Sequence, residues 1–248
     1  QVVPVPLEQA QAGLVALFHE EVREHDHDAA AALAHTVFFV SFTFGMGLVS
    51  AVAPLAAQAF GARNPHLIRR SLRVGMWAAL LMSLPMMALS FRGEQILLML
   101  GQSPTAAHFA QQYLLGLTWS ILPALWFMAI RGFMSAVNRP EPILWITLAA
   151  IPANAALVYV LLYGAFGLPE LGLFGAGLGT SIVNAATFLA AGWFAARRRP
   201  FRKYHVFGHF WRIDWRLMWQ LVVIGTPISL SFLLEYGLFG AAGLLMGL

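Results

Sequence analysis

The chain has 248 residues, 59% hydrophobic and only 10% Asp, Glu, Lys or Arg, with a formal net charge of +4 and no Cys. Soluble domains carry about 25% charged residues, so the composition argues against a soluble enzyme or nucleic-acid-binding domain, and the lack of Cys excludes disulfides and thiolate metal sites. The apolar residues come in blocks near the ~20 that a helix needs to cross a ~30 Å hydrocarbon core. The alternating short strands of a transmembrane barrel are absent. The expectation is an all-α, polytopic transmembrane helical bundle of about six spans.

Residues 1–28 form a divergent polar or interfacial N-terminal segment, with an interfacial helix expected over 9–24. His19, Glu20, Glu21, His25, Asp26, His27 and Asp28 resemble a short metal-binding tract, but the His-Glu-x-x-His zinc pattern is absent and a solvated polar segment is the reading taken. The first span is read over 30–60, followed by a loop over 61–73 that holds Arg63, Arg69, Arg70 and Arg73. The second span is read over 74–91, then a short interfacial helix over 94–100. Ser103 and Pro104 open a new helix as N-cap and N1, and the third span runs over 107–134. His35 and His108 are read as interface residues near span ends.

The fourth span is read over 142–163, the fifth over 173–196 and the sixth from Leu217 onward. Gly172, Gly175, Gly177 and Gly179 open the fifth with a small-residue stripe that admits a close neighbour. A basic, aromatic-rich linker covers 197–216, and such aromatics suit the headgroup region. Every second connection is basic (61–73, 134–141, 197–216), while 164–172 has no Lys or Arg; the basic ones therefore face the cytoplasm. Three parts result: 1–28, a helical part over 29–216 that includes the linker, and a last apolar span over 217–248.

Polar side chains inside the spans are few. Asn154 lies two residues after Pro152, which removes a backbone donor and frees a carbonyl; broken helices of this kind line ion or substrate cavities. Thr180 and Asn184 lie in the fifth span, and Thr226, Ser229, Ser231, Glu235 and Tyr236 in the sixth. Pro227 leaves the Val223 carbonyl without its usual partner, and Ser229 and Ser231 are expected to satisfy the freed groups. Glu235 is the sole charged residue between 217 and 248. A carboxylate at membrane depth costs roughly 2.5–3.5 kcal/mol and marks an ion or substrate path. Read from Leu217, Glu235 is expected near mid-membrane, where it exchanges a proton or binds Na⁺. No P-loop, GxSxG or dinucleotide-binding fingerprint is present, and no paired catalytic groups converge, so no enzyme is expected.

Four stretches, FGMGLVSAVAPLAAQAFGA (44–62), IRGFMSAVNRPEP (130–142), YGAFGLPELGLFGAGLGTSIV (163–183) and GTPISLSFLLEYGLFG (225–240), resemble the N-terminal half of multidrug and toxic compound extrusion transporters, closest to the NorM-like branch. The resemblance implies a two-lobed bundle in the bacterial inner membrane, with 29–216 as the N-terminal lobe and 217–248 as the first span of the C-terminal lobe. It would export amphipathic organic cations in exchange for Na⁺ or H⁺, with no cofactor. Glu235 matches a coupling carboxylate and Asn154 a polar position near the first half's ion site; Tyr236, Thr180 and Asn184 complete the candidate set. Residues 1–28 do not resemble the family's first span, whose aspartate has no counterpart here. The chain is therefore expected to be a fragment that lacks its C-terminal half and does not transport alone. The alternatives are a lipid-linked oligosaccharide flippase of the same superfamily, which would need basic residues in its cavity, and a non-transporting membrane protein.

Overall fold

A computed structural model describes residues 40, 42–99, 104–164, 171–197 and 214–246. The 9–24 helix, the His-rich tract, His35, Ser103 and most of the 164–172 and 197–216 connections lie outside the described residues. Eight helices succeed one another among those described: α1 (Phe42–Gly61), α2 (Pro65–Phe91), α3 (Gly93–Met99), α4 (Pro104–Thr118), α5 (Ile121–Ala136), α6 (Glu141–Tyr163), α7 (Gly172–Arg197) and α8 (Trp215–Met246). Five of them are long and apolar enough to cross a membrane.

The third span differs from the expectation. Instead of one helix over 107–134, the chain forms Ala107–Thr118 and Ile121–Ala136, bent by 45°. Pro123 has no N–H to give the Trp119 carbonyl. Nearby hydroxyls take backbone acceptors instead: Thr118 donates to Leu114 at 2.7 Å and Ser120 to Leu117 at 2.7 Å. Pro152, read with a broken helix, does not break one, since α6 continues through it, and α8 continues through Pro227. Each removes one hydrogen bond, and in α8 the neighbouring hydroxyls bridge adjacent turns. Their targets are not the Val223 carbonyl: Thr226 donates to Val222, Ser229 to Gly225 and Ser231 to Pro227.

The 61–73 stretch is also not a loop. Asn64 accepts the Leu67 N–H through Oδ1 at 3.2 Å, and Pro65 occupies the first turn, so α2 begins there; this is the cap-then-proline opening that favours a helix start. Arg69, Arg70 and Arg73 therefore ride on the first turns of α2. The turns flanking these basic ends place Arg63 and Asn138 at positive φ, 52° and 59°.

α1, α2 and α5 make the centre. Val49, Val52, Leu72, Ile121, Leu125 and Phe133 are essentially fully buried there. Trp126 donates its indole N–H to the Met76 carbonyl at 3.0 Å, tying α5 to α2, and stacks tilted on Phe188 of α7 at 5.0 Å. α7 packs on α4, α5 and α6, so the glycine stripe serves two neighbours. A Cβ on Gly175 would lie 2.5 Å from the Leu161 carbonyl oxygen of α6, and one on Gly177 would lie 2.6 Å from that of Tyr113 in α4. α8 sits on α2 and on the first half of α1, where a Cβ at Gly225 would come 2.8 Å from the Leu48 backbone.

Candidate cation-coupling residues

The candidate residues fall into two groups on different helix pairs. α6 and α7 run antiparallel, with Val158 against Gly179 and Leu161 against Gly175. The same antiparallel register carries Asn154, one turn back along α6 from Val158, toward the part of α7 that holds Thr180 and Asn184. Thr180 spends its hydroxyl on the Ala176 carbonyl at 3.2 Å, and the Asn184 carbonyl accepts from Thr187 at 2.9 Å. The Asn154 side-chain oxygen is enclosed and has no hydrogen-bond partner. An enclosed acceptor left unpaired costs about 1–3 kcal/mol and calls for an explanation. A cation or a proton-bearing group would satisfy it. Thr43 on α1 is similar: it is 3% exposed and its hydroxyl has no partner. Sequence reading passed over Thr43 because one threonine in an apolar run carries no signal until burial is known.

Glu235 and Tyr236 are on α8, which packs on α1 and α2. Glu235 is exposed on the helix surface, and Tyr236 is half-buried. α8 starts at Trp215 and runs 32 residues to Met246. At 1.5 Å per residue, Glu235 is about 30 Å from the start and about 17 Å from the end. Along the helix it thus lies about 7 Å past the midpoint. Its neighbours on the exposed surface include Leu234 and Leu238, 62% and 72% exposed, and the exposed Ser231 one turn back. No cluster of three or more His, Cys, Asp or Glu exists among the described residues.

At the basic ends of the helices, Arg70 donates from Nη2 to Oδ2 of Asp214, just before α8. Oδ1 of the same carboxylate accepts the Leu217 N–H at 3.3 Å and so caps α8. Burial pushes the Asp214 carboxyl up, but the bonds from Arg70 and from the Leu217 and Arg216 N–H groups, together with the Arg70 charge, outweigh it and hold the pKa below the ordinary value. At the other end of the bundle, Gln111 accepts from the Glu94 N–H at 2.8 Å and donates to the Ser90 carbonyl at 3.2 Å, pinning α3 to the end of α2. His108 is exposed beside Glu94 at 3.8 Å, in keeping with an interface residue.

Apolar helices long enough to span, polar groups confined to a few mid-helix positions and basic helix ends define a multi-pass helical membrane protein. The family model described as MatE matches residues 21–160. The chain belongs to that family, whose bacterial members reside in the inner membrane. It is 61% identical over 249 aligned residues to a probable multidrug resistance protein NorM of Bradyrhizobium diazoefficiens, covering 98% of this chain and 53% of that protein. It is 57% identical to the protein of the same name from Rhodopseudomonas palustris, over 86% of this chain and 45% of the relative. Among solved structures, the eukaryotic MATE transporter AtDTX14 superposes with a TM-score of 0.74 at 22% identity, over 88% of this chain and 48% of that one. An inward-facing multidrug resistance MATE transporter gives 0.72 at 16% identity, over 84% and 47%. The chain thus spans about half the length of the curated relatives it matches. The family match begins inside the segment read as divergent.

Proposed function

We propose that this chain is the N-terminal portion of a secondary-active multidrug exporter, which moves amphipathic organic cations out of the cell in exchange for Na⁺ or H⁺. The lobe boundaries read from the sequence, 29–216 and 217–248, belong to this proposal. Glu235 is the observation that carries it. It is the one charge between 217 and 248, on a helix otherwise apolar enough to span, and intramembrane carboxylates of this kind mark ion or substrate paths. Glu235 carries the exchanged proton or ligates Na⁺. Tyr236 flanks it, and Asn154, Thr180 and Asn184 form the polar patch of the first lobe. The relatives' names agree with transport.

The test is export of a fluorescent organic cation by the full-length protein in proteoliposomes, with a Na⁺ or a pH gradient imposed separately. Glu235→Gln should reduce gradient-driven export by about tenfold or more, given the typical cost of losing a required charged contact. Equal export by Glu235→Gln and the parent, under both gradients, removes Glu235 from the mechanism.

A further inference from the structure

Arg70 and Asp214 are 144 positions apart, yet their side chains meet at the helix ends that carry the basic residues, the side that positive charge places in the cytoplasm. Three features make this contact more than a surface pair. First, the two carboxylate oxygens are divided between partners, one for the Arg70 guanidinium and one for the Leu217 N–H at the start of α8. Whatever moves Asp214 therefore moves the first turn of α8. Second, the pair sits at the rim: the Arg70 side chain is 47% exposed and that of Asp214 14%, so water and salt reach the guanidinium, and when it leaves, the Asp214 carboxylate keeps its N–H donors at the start of α8. Third, α8 is otherwise fastened to this lobe further along, where Gly225 and Ser229 lie against Leu48, Gly47 and Phe44. From Pro227 onward the surface of α8 becomes mostly exposed, with Leu230, Leu234 and Leu238 outward. The helix is thus held at its first turn and at a crossing that spans its proline.

We propose that Arg70 and Asp214 form a cytoplasmic latch that clasps the start of α8 to α2 and must open for the inner mouth of the transporter to open. The proposal rests on the transport reading for its purpose, but not for its geometry. In the closed latch the first turn of α8 covers its own Leu217 and Met218, which are 6% and 7% exposed. Opening swings that turn away from α2 about the Gly225–Ser229 crossing and uncovers them.

The experiment uses the full-length protein in a Cys-free background, in membrane vesicles with the basic side accessible. Leu217→Cys is the reporter, with Met218→Cys as a second reporter should the first fail to fold, and an impermeant maleimide is the probe. Arg70→Gln leaves the cap of α8 intact and should raise the labelling rate about threefold, the scale set by exposed ion pairs. Asp214→Arg alone should do the same, and Arg70→Asp with Asp214→Arg should return it toward the parent. Added salt should speed labelling of the parent and not of Arg70→Gln. Unchanged labelling in Arg70→Gln, or a double reversal no slower than either single, overturns the latch. A second arm ties Arg70→Cys to Asp214→Cys with a reducible thiol cross-linker. Export should stop and return on reduction, whereas export by the tied protein at the untied rate overturns the need for opening. If the parent exports nothing while labelling follows the pair, the transport reading falls and the clasp stands.

Discussion

Ser229 of α8 donates its hydroxyl to the Phe44 carbonyl of α1 at 2.9 Å while also facing the Gly225 carbonyl one turn back on its own helix, at 2.9 Å. The bond is possible because the helices nearly touch: Gly47 on α1 and Gly225 on α8 leave no room for a side chain between them. This crossing fastens α8 to the central helices.

Removing the hydroxyl and filling the gap should therefore differ in scale. Ser229→Ala should lower stability by about 0.6 kcal/mol, the average for interhelical hydrogen bonds in membranes. Gly225→Ala should lower it by about 1–3 kcal/mol through overpacking against Leu48. Thermal unfolding of the purified protein in detergent ranks the two. A Gly225→Ala protein as stable as Ser229→Ala would mean that the crossing is looser than described.

Asn154 should show opposite signs in stability and in transport. Its side-chain oxygen is enclosed and unpaired, so Asn154→Leu removes an unsatisfied acceptor and should leave stability unchanged or raise it by up to about 1 kcal/mol. The same change should reduce cation-driven export several-fold if that oxygen meets the coupling ion. Loss of both stability and export would show Asn154 to be a structural tie.

The pair between Arg70 and Asp214 should withstand mild acid. The Asp214 carboxyl is held below its ordinary pKa, so its contribution is fully present above the ordinary carboxylate range and is lost only as pH falls through the lower, folded value. Labelling of Leu217→Cys, corrected for maleimide reactivity, should stay flat from neutral pH down to that range. An increase beginning near neutral pH would assign the clasp to another group.

The helices were largely legible because a membrane demands long apolar blocks, and the blocks mark their own ends. Glycine spacing on α7 likewise announced a close neighbour, though not that Gly175 and Gly177 face different helices; that depends on packing of residues far apart in the chain. The start of α2 was missed because Arg69, Arg70 and Arg73 suggest a loop when charge is weighed ahead of the Asn64–Pro65 cap. The bend at Ser120 was missed because Pro152 and Pro227, deeper in their helices, drew attention from Pro123, whose missing bond falls where two hydroxyls already compete for backbone carbonyls. Glu235 stands out in sequence through the absence of other charge, but its surroundings depend on how α8 meets the rest of the protein, which no local pattern encodes.

The elbow between α4 and α5 also bears on the order in which the molecule is made. Its clasp is the Ser181 hydroxyl on the Gly116 carbonyl at 2.6 Å, with Gly177 pressed against the same turn, and these residues are 65 positions apart. At synthesis rates of about 5–20 residues per second, α4 and α5 are complete at Ala136 roughly 2–9 s before Ser181 exists. During that interval the elbow is held by its own hydroxyls and by the ties of its arms to α2, Gln111 to the Ser90 carbonyl and Trp126 to that of Met76, and arrival of α7 adds the last tie. The bend is therefore completed by a helix that inserts two spans later, so early insertion and final shape are separate events in the birth of this lobe.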